Sequence, residues 1–191
     1  MRPPELRSGP LVLRTLGRHE EYGWRQLRQS NRAWLEPWEA TTPPGRAEPP
    51  VSYRALLRRE RQQWRDETAY PFVIEFEGSL AGRVSVAGIR WGAERGASIG
   101  YWIGRGHAGR GIMPRAVALA TEFSFGRGLH RIEIAVRPEN AASLRVVEKL
   151  GFREEGLRRS YLHIDRAWRD HRIFALTQGE PRIGRYWSSG T

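Results

Sequence analysis

Between Ala97 and Phe123 the strand-like run "ASIGYWIG" passes into a helical run, and Gly104, Gly106, Gly109 and Gly111 crowd the junction. Glycine costs more to order than any other residue, so such a cluster implies a backbone shape other residues resist. The alternating run "RIEIAVRP" follows the helix, making a strand–helix–strand crossover, which brings two strands side by side in parallel. The helix start has unpaired N–H groups and the positive end of the macrodipole. A glycine turn before it lets those groups close on phosphate oxygens. No Gly-Lys-Ser/Thr is present, and Gly-Arg-Gly lacks the further glycine of a dinucleotide fingerprint, which excludes both nucleotide loops. From these residues alone, an anion cradle and a plain connector are both open.

The remaining pattern surrounds this crossover. "LVLRTL" (Leu11 to Leu16) reads as a first strand, and His19 to Trp38 as one helix stopped near Pro37. "TTPPGRAEPP" (Thr41 to Pro50) is a loop, followed by a helix from Ser52, a suitable N-cap, to about Asp66. "PFVIEFEGSLAGRVSVAGI" gives a hairpin turning at Glu77-Gly78. "ENAASLRVVEKLGF" is a helix opened by Asn140 and closed by Gly151. Final strands are expected near Phe152 to Leu162 and Arg172 to Thr177, with residues 179–191 fraying. The fold class is α/β (α+β), a mostly antiparallel, mixed sheet flanked by helices. A single domain spans 1–191, with its core at about 11–178.

Composition narrows function mainly by exclusion. With no cysteine and five scattered histidines, neither disulfides nor a metal site is expected. No run is long enough to span a membrane, and "MRPPELRSGP" lacks an apolar signal core, so a cytoplasmic protein without membrane contact is expected. The net charge of +11 invites nucleic acid as a partner. Yet Lys149 is the only lysine and the arginines are dispersed, so the charge reads as compositional.

Three segments in order carry a family resemblance. "GHAGRG" (Gly106 to Gly111) resembles the Q/R-x-x-G-x-G/A pyrophosphate loop of the GNAT acyltransferase superfamily. "ENAASLRVVEKLGF" resembles its asparagine-bearing helix, and "REEGLRRSYLHIDRAWRDHRIFAL" (Arg153 to Leu176) the C-terminal block of the RimJ/RimL branch, bacterial protein N-terminal acetyltransferases. "LEPWEA" (Leu35 to Ala40) is similar to that branch's early tryptophan segment. The loop departs at its first position, where Gly106 stands in place of Gln or Arg.

The resemblance implies acetyl-CoA as co-substrate, bound in a V-shaped gap between "IGYWIG" and "RIEIAV". Backbone groups of Tyr101, Trp102 and Ile103 would pair with the pantetheine arm, as an added strand does. Those of His107, Ala108, Gly109, Arg110, Gly111 and Ile112 would hold the pyrophosphate, and Asn140 would cap its helix and touch the cofactor. Many members carry a tyrosine seven residues after the asparagine; here Val147 stands there. By the branch pattern Ser143 is the proton donor to the leaving thiolate and a cofactor contact, and Glu155 the general base. Strand alternation sends only one of Glu154 and Glu155 toward the cleft, and the branch match selects Glu155. Tyr161 is a second acid candidate. Trp168, Asp170 and His171 resemble hallmarks of the branch, Asp170 read as pinning a turn or backbone and His171 as a hydrogen-bonded strand histidine.

The expected reaction is transfer of an acetyl group to a primary amine, the N-terminal α-amino group of a protein such as a ribosomal protein. A small amine acceptor, and a non-catalytic basic module that binds RNA or senses acetyl-CoA, are the alternatives. Nucleic acid is expected only through proximity to the ribosome, and a homodimer is left open.

Overall fold

The computed structural model describes residues 3–45 and 51–187; the second half of the expected Thr41–Pro50 loop and the last four residues lie outside them. Period-two alternation builds β1 (Leu6–Ser8), β2 (Leu11–Arg14), β3 (Ala69–Phe76), β4 (Ser79–Arg90), β5 (Gly96–Ile103), β6 (Arg131–Val136), β7 (Arg153–Ile164) and β8 (Ala167–Thr177). They form one sheet in the order β1-β2-β3-β4-β5-β6-β8-β7. Every neighbouring pair is antiparallel except β5 and β6. That parallel pair is the one the glycine-loop crossover implies.

Five helices, α1 (Glu21–Ser30), α2 (Arg32–Leu35), α3 (Tyr53–Asp66), α4 (Ile112–Gly126) and α5 (Ala141–Lys149), cover the sheet. Alternation along β3 sorts the layers. Phe72 and Ile74 join α4 residues Ala116, Val117 and Ala120 in the main core, while Val73 faces a smaller cluster of Leu16, Tyr53 and Leu57. Trp64 packs edge-on against Phe72 at 5.1 Å between ring centres, and Phe123 of α4 meets the same rings. The hydroxyl of Ser52 accepts from the Ala55 N–H at 3.2 Å, the expected cap of α3.

Several boundaries differ from the sequence reading. The helix expected over His19–Trp38 breaks at Asn31, because that side chain serves two other backbones. Its Nδ2 donates to the Leu27 carbonyl at 2.9 Å, and its Oδ1 accepts from the Arg105 N–H at 2.7 Å. A single 3-10 turn over Glu36–Trp38 ends the segment. β8 starts at Ala167 rather than Arg172, since Asp165 and Arg166 at φ 49° and 61° make a tight two-residue hairpin turn. The short β1 was not foreseen. Within the tail expected to fray, residues 179–187 are described and pack back: Trp187 is buried, and its Nε1 donates to the Ile183 carbonyl at 2.9 Å.

β4 and β5 approach closely at Gly82, which is paired with Ile103. A Cβ there would stand 2.3 Å from the Trp102 carbonyl oxygen and 2.9 Å from the Ile103 Cα. We expect Gly82→Ala to lower stability by about 1–3 kcal/mol by forcing backbone apart in a packed sheet; urea unfolding measures it, and an unchanged midpoint would refute the close approach.

Candidate functional site

Pairing of β5 with β6 stops after three rungs, Gly96↔Arg131, Ala97↔Ile132 and Ser98↔Glu133. β5 continues to Ile103 on the arm of β4, and β6 continues to Val136 on the arm of β8. The two strands therefore splay. Beyond the splay a cavity of about 500 Å³ opens between the end of β5, the start of α4 and α5.

One end of the cavity is the start of α4. Gly109 and Gly111 have φ of 79° and 73°, the left-handed region that glycine tolerates, and Gly111 is the N-cap. No side chain caps this helix, so its leading N–H groups remain available, and His107, Ala108, Gly109, Gly111 and Ile112 line the cavity. His107 Nδ1 is buried with no hydrogen-bond partner among the described residues. Arg110 turns away, 3.2 Å from Glu77 and 4.7 Å over the Phe76 ring, so only its backbone belongs to the turn. Positive charge comes instead from Arg145 and Lys149, which line the cavity from α5. Sequence reasoning missed both, although Ala141, Arg145 and Lys149 follow the i, i+4, i+8 spacing of one helix face.

Tyr101, Trp102 and Ile103 line the wall formed by β5. Ile103 accepts a hydrogen bond on its carbonyl from Trp34 Nε1 at 3.0 Å. The side chain of Tyr101 faces α5, where its hydroxyl lies 2.7 Å from Ser143 Oγ. Burial pushes the Tyr101 phenol up to about 12, so it keeps its proton. Asn140 Oδ1 accepts from the Ser143 N–H at 3.0 Å, the expected cap. Val147 is fully buried in the core.

The opposite mouth is built by the segment after α1. Trp34, Leu35 and Trp38 line it together with Glu139, the one carboxylate among the lining residues. Arg137 anchors that segment, donating to the Pro37 carbonyl at 2.7 Å and lying 5.3 Å over the Trp38 ring. Thr41 N–H donates to the His163 carbonyl at 2.8 Å, closing the wall against β7. Glu139, paired with Arg137 at 3.2 Å and largely exposed, also escaped the sequence reading, though it immediately precedes Asn140.

Glu155 is not brought to this cavity. A bulge between Glu154 and Gly156 breaks the alternation that was to select one glutamate. Glu154 pairs with Arg172 at 2.6 Å, and Glu155 is gripped by both terminal nitrogens of Arg131. Arg131 sits on the first rung of the parallel pair, at the closed end of the V. Its guanidinium holds the Glu155 carboxyl below the usual carboxylate range. Tyr161 lies on the same open sheet face, its hydroxyl 3.1 Å from Arg158, and does not line the cavity. Asp170 Oδ1 accepts from the Ser160 N–H at 2.8 Å, where Ser160 has φ 44°. His171 is buried, Nδ1 3.0 Å from the Arg169 carbonyl oxygen, and desolvation holds its imidazole below the ordinary value.

Comparison with known proteins gives this geometry a family. A profile described as an acetyltransferase (GNAT) domain matches residues 11–153. The [ribosomal protein uS5]-alanine N-acetyltransferase of Escherichia coli (strain K12) is 29% identical over 185 residues, 94% of each chain. Mycobacterium smegmatis RimJ, solved with a CoA disulfide, superposes with a TM-score of 0.83 at 36% identity, covering 93% of this chain and 90% of that one. A ribosomal-protein-S5-alanine acetyltransferase from Vibrio fischeri gives a TM-score of 0.83 at 26% identity, covering 93% of this chain and all of the other (100%). The splayed strands, the uncapped glycine turn and these matches agree: the chain belongs to the GNAT acetyltransferase family.

Proposed function

We propose that the chain acetylates the N-terminal α-amino group of a protein, as the names of its relatives describe for ribosomal proteins. The observation that carries this reading is the cavity between the end of β5 and α5, lined by the anion-ready start of α4 and by an aromatic segment with a single carboxylate. Acetyl-CoA supplies the activated acetyl group. Backbone N–H groups from His107 to Ile112 hold the pyrophosphate, and the β5 edge at Tyr101, Trp102 and Ile103 receives the pantetheine arm. The acceptor then enters past Trp34 and Trp38, where Glu139 attracts its ammonium group.

An α-amino group titrates near about 8, against about 10.4 for lysine, so a useful fraction is neutral without a strong base. A free β5 N–H stabilises the charge that develops on the thioester oxygen as nitrogen attacks. The C–S bond then breaks, Ser143 passes its hydroxyl proton to the departing sulfur, the new amide nitrogen releases one to water, and Ser143 Oγ regains a proton from water. With the Tyr101 phenol protonated, a donation from it to Ser143 Oγ would leave the serine proton free to face the cavity. A polyamine acceptor would need several carboxylates for its several charges; the lining residues offer Glu139 alone.

Peptides with free or blocked N-termini, each also containing lysine, decide the acceptor when product masses are mapped. Acetyl on the free N-terminus is expected; acetyl on internal lysine alone overturns the proposal. Ser143→Ala should lower kcat on the order of 10²-fold, the scale of one proton-transfer group, with KM for acetyl-CoA unchanged. A change confined to KM would make Ser143 only a binding residue.

Glu155→Gln should leave kcat within a few-fold, as its carboxylate is committed to Arg131. Its stability cost should be small, about 0.5 kcal/mol, as for exposed pairs. Because the folded carboxyl titrates below its unfolded value, that contribution is present at neutral pH and lost as pH falls through the carboxylate range. A loss of kcat beyond about 100-fold would restore Glu155 as the base.

A further inference from the structure

The chain after β8 returns to the donor end of the cavity. Arg182 lies over Phe125 at 4.7 Å and over Trp187 at 5.3 Å, fixing the segment to the core. Gly184, at φ 98°, runs so close to α5 that a Cβ would stand 2.6 Å from the Lys149 carbonyl oxygen. This seat brings Tyr186 against the glycine turn: a Cβ on Gly111 would lie 3.6 Å from its ring.

Around that ring the charges are one-sided. The Lys149 ammonium is 5.9 Å and the Arg185 guanidinium 5.3 Å from its centre. Arg185 also donates to the Tyr186 hydroxyl at 3.4 Å, and this contact with the fields of Lys149 and Arg115 holds the phenol below its ordinary value. No carboxylate is among the groups acting on it. On the sheet, by contrast, Arg131 pairs with Glu133 and Glu155, and Arg153 with Glu180. Arg115, Lys149 and Arg185 form no ion pair among the described residues. Three like charges held together cost free energy that an anion would recover.

The pyrophosphate is already provided for by the α4 turn. Acetyl-CoA carries one further dianion, the 3′-phosphate on its ribose, beside a flat adenine. We infer that Arg185, Lys149, Arg115 and Tyr186 form a subsite for the 3′-phosphoadenosine end of the donor, the C-terminal segment acting as its strap. The cations pair with the phosphate, and the Tyr186 ring gives adenine a face to stack on. The inference rests on acetyl-CoA as the donor.

Titration calorimetry of the full chain with CoA and with dephospho-CoA tests it, since the two differ only in that phosphate. The wild-type chain should bind CoA roughly tenfold more tightly, the scale of one charge-assisted contact. Arg185→Ala should lose roughly that factor for CoA and stay within about twofold for dephospho-CoA, with an unchanged unfolding temperature. Arg185→Lys should recover most of the difference. Equal binding of the two ligands by wild type, or equal loss of both in Arg185→Ala, would overturn the subsite while leaving the donor assignment intact. A chain that binds neither ligand overturns the donor assignment itself, and the subsite with it.

Discussion

The separation of β5 from β6 after Ser98 governs the rest of this molecule. Backbone groups along a strand edge must find partners when they leave water, so a splay inside a sheet is unfavourable unless its sides are held from outside. Here each side has its own anchor. β4 carries β5 to Ile103, with Gly82 allowing the closest contact, and β8 carries β6 to Val136. Trp34 grips the Ile103 carbonyl and Arg137 grips Pro37, so the helical segment over the mouth is tied to both arms. The unpaired strand edge that results is what an extended, amide-bearing pantetheine arm matches.

The excess of arginine is distributed by function rather than evenly. On the open face of β6, β8 and β7, arginines and glutamates interlock: Arg131 with Glu133 and Glu155, Arg158 with Glu133, Arg172 with Glu154. At the α4 start Arg110 turns away to Glu77, whereas Arg145 and Lys149 form no ion pair among the described residues and line the cavity. The same composition thus gives a neutralised sheet face and an electropositive donor end. Long-range attraction of a polyanionic donor follows from the second, and net charge alone would not have located it.

The crossover, the hairpin at Glu77-Gly78 and the caps at Ser52 and Asn140 were legible because each depends on neighbours in sequence. The break at Asn31 was not, since its cause is an amide in Arg105, far along the chain. The same applies to Tyr101: its place on a strand is local information, but its hydroxyl meeting Ser143 depends on how α5 lies across β5. Glu155 shows the converse failure. Strand alternation admitted only one of Glu154 and Glu155 to the cleft and the family pattern selected Glu155, but a one-residue bulge removes the premise on which alternation rests, and Arg131 engages the carboxylate.

With Glu155 held by Arg131 and outside the cavity lining, the proposed chemistry rests on the acceptor rather than on a base. A site that must deprotonate a lysine ammonium near neutral pH has to supply more than two further pH units of driving force, each worth about 1.4 kcal/mol. An α-amino group asks for almost none. Only Glu139 stands at the acceptor mouth as a carboxylate, largely in water and shared with Arg137, which suits it to attracting an ammonium rather than stripping one. On the proposed reading the cavity would be strong where the leaving group departs, at a buried phenol hydrogen-bonded to a serine, and weak where the nucleophile would be deprotonated. That imbalance would itself be selective on the same reading, because acceptors already neutral near pH 8 would react and the more basic amines of lysine side chains would be passed over.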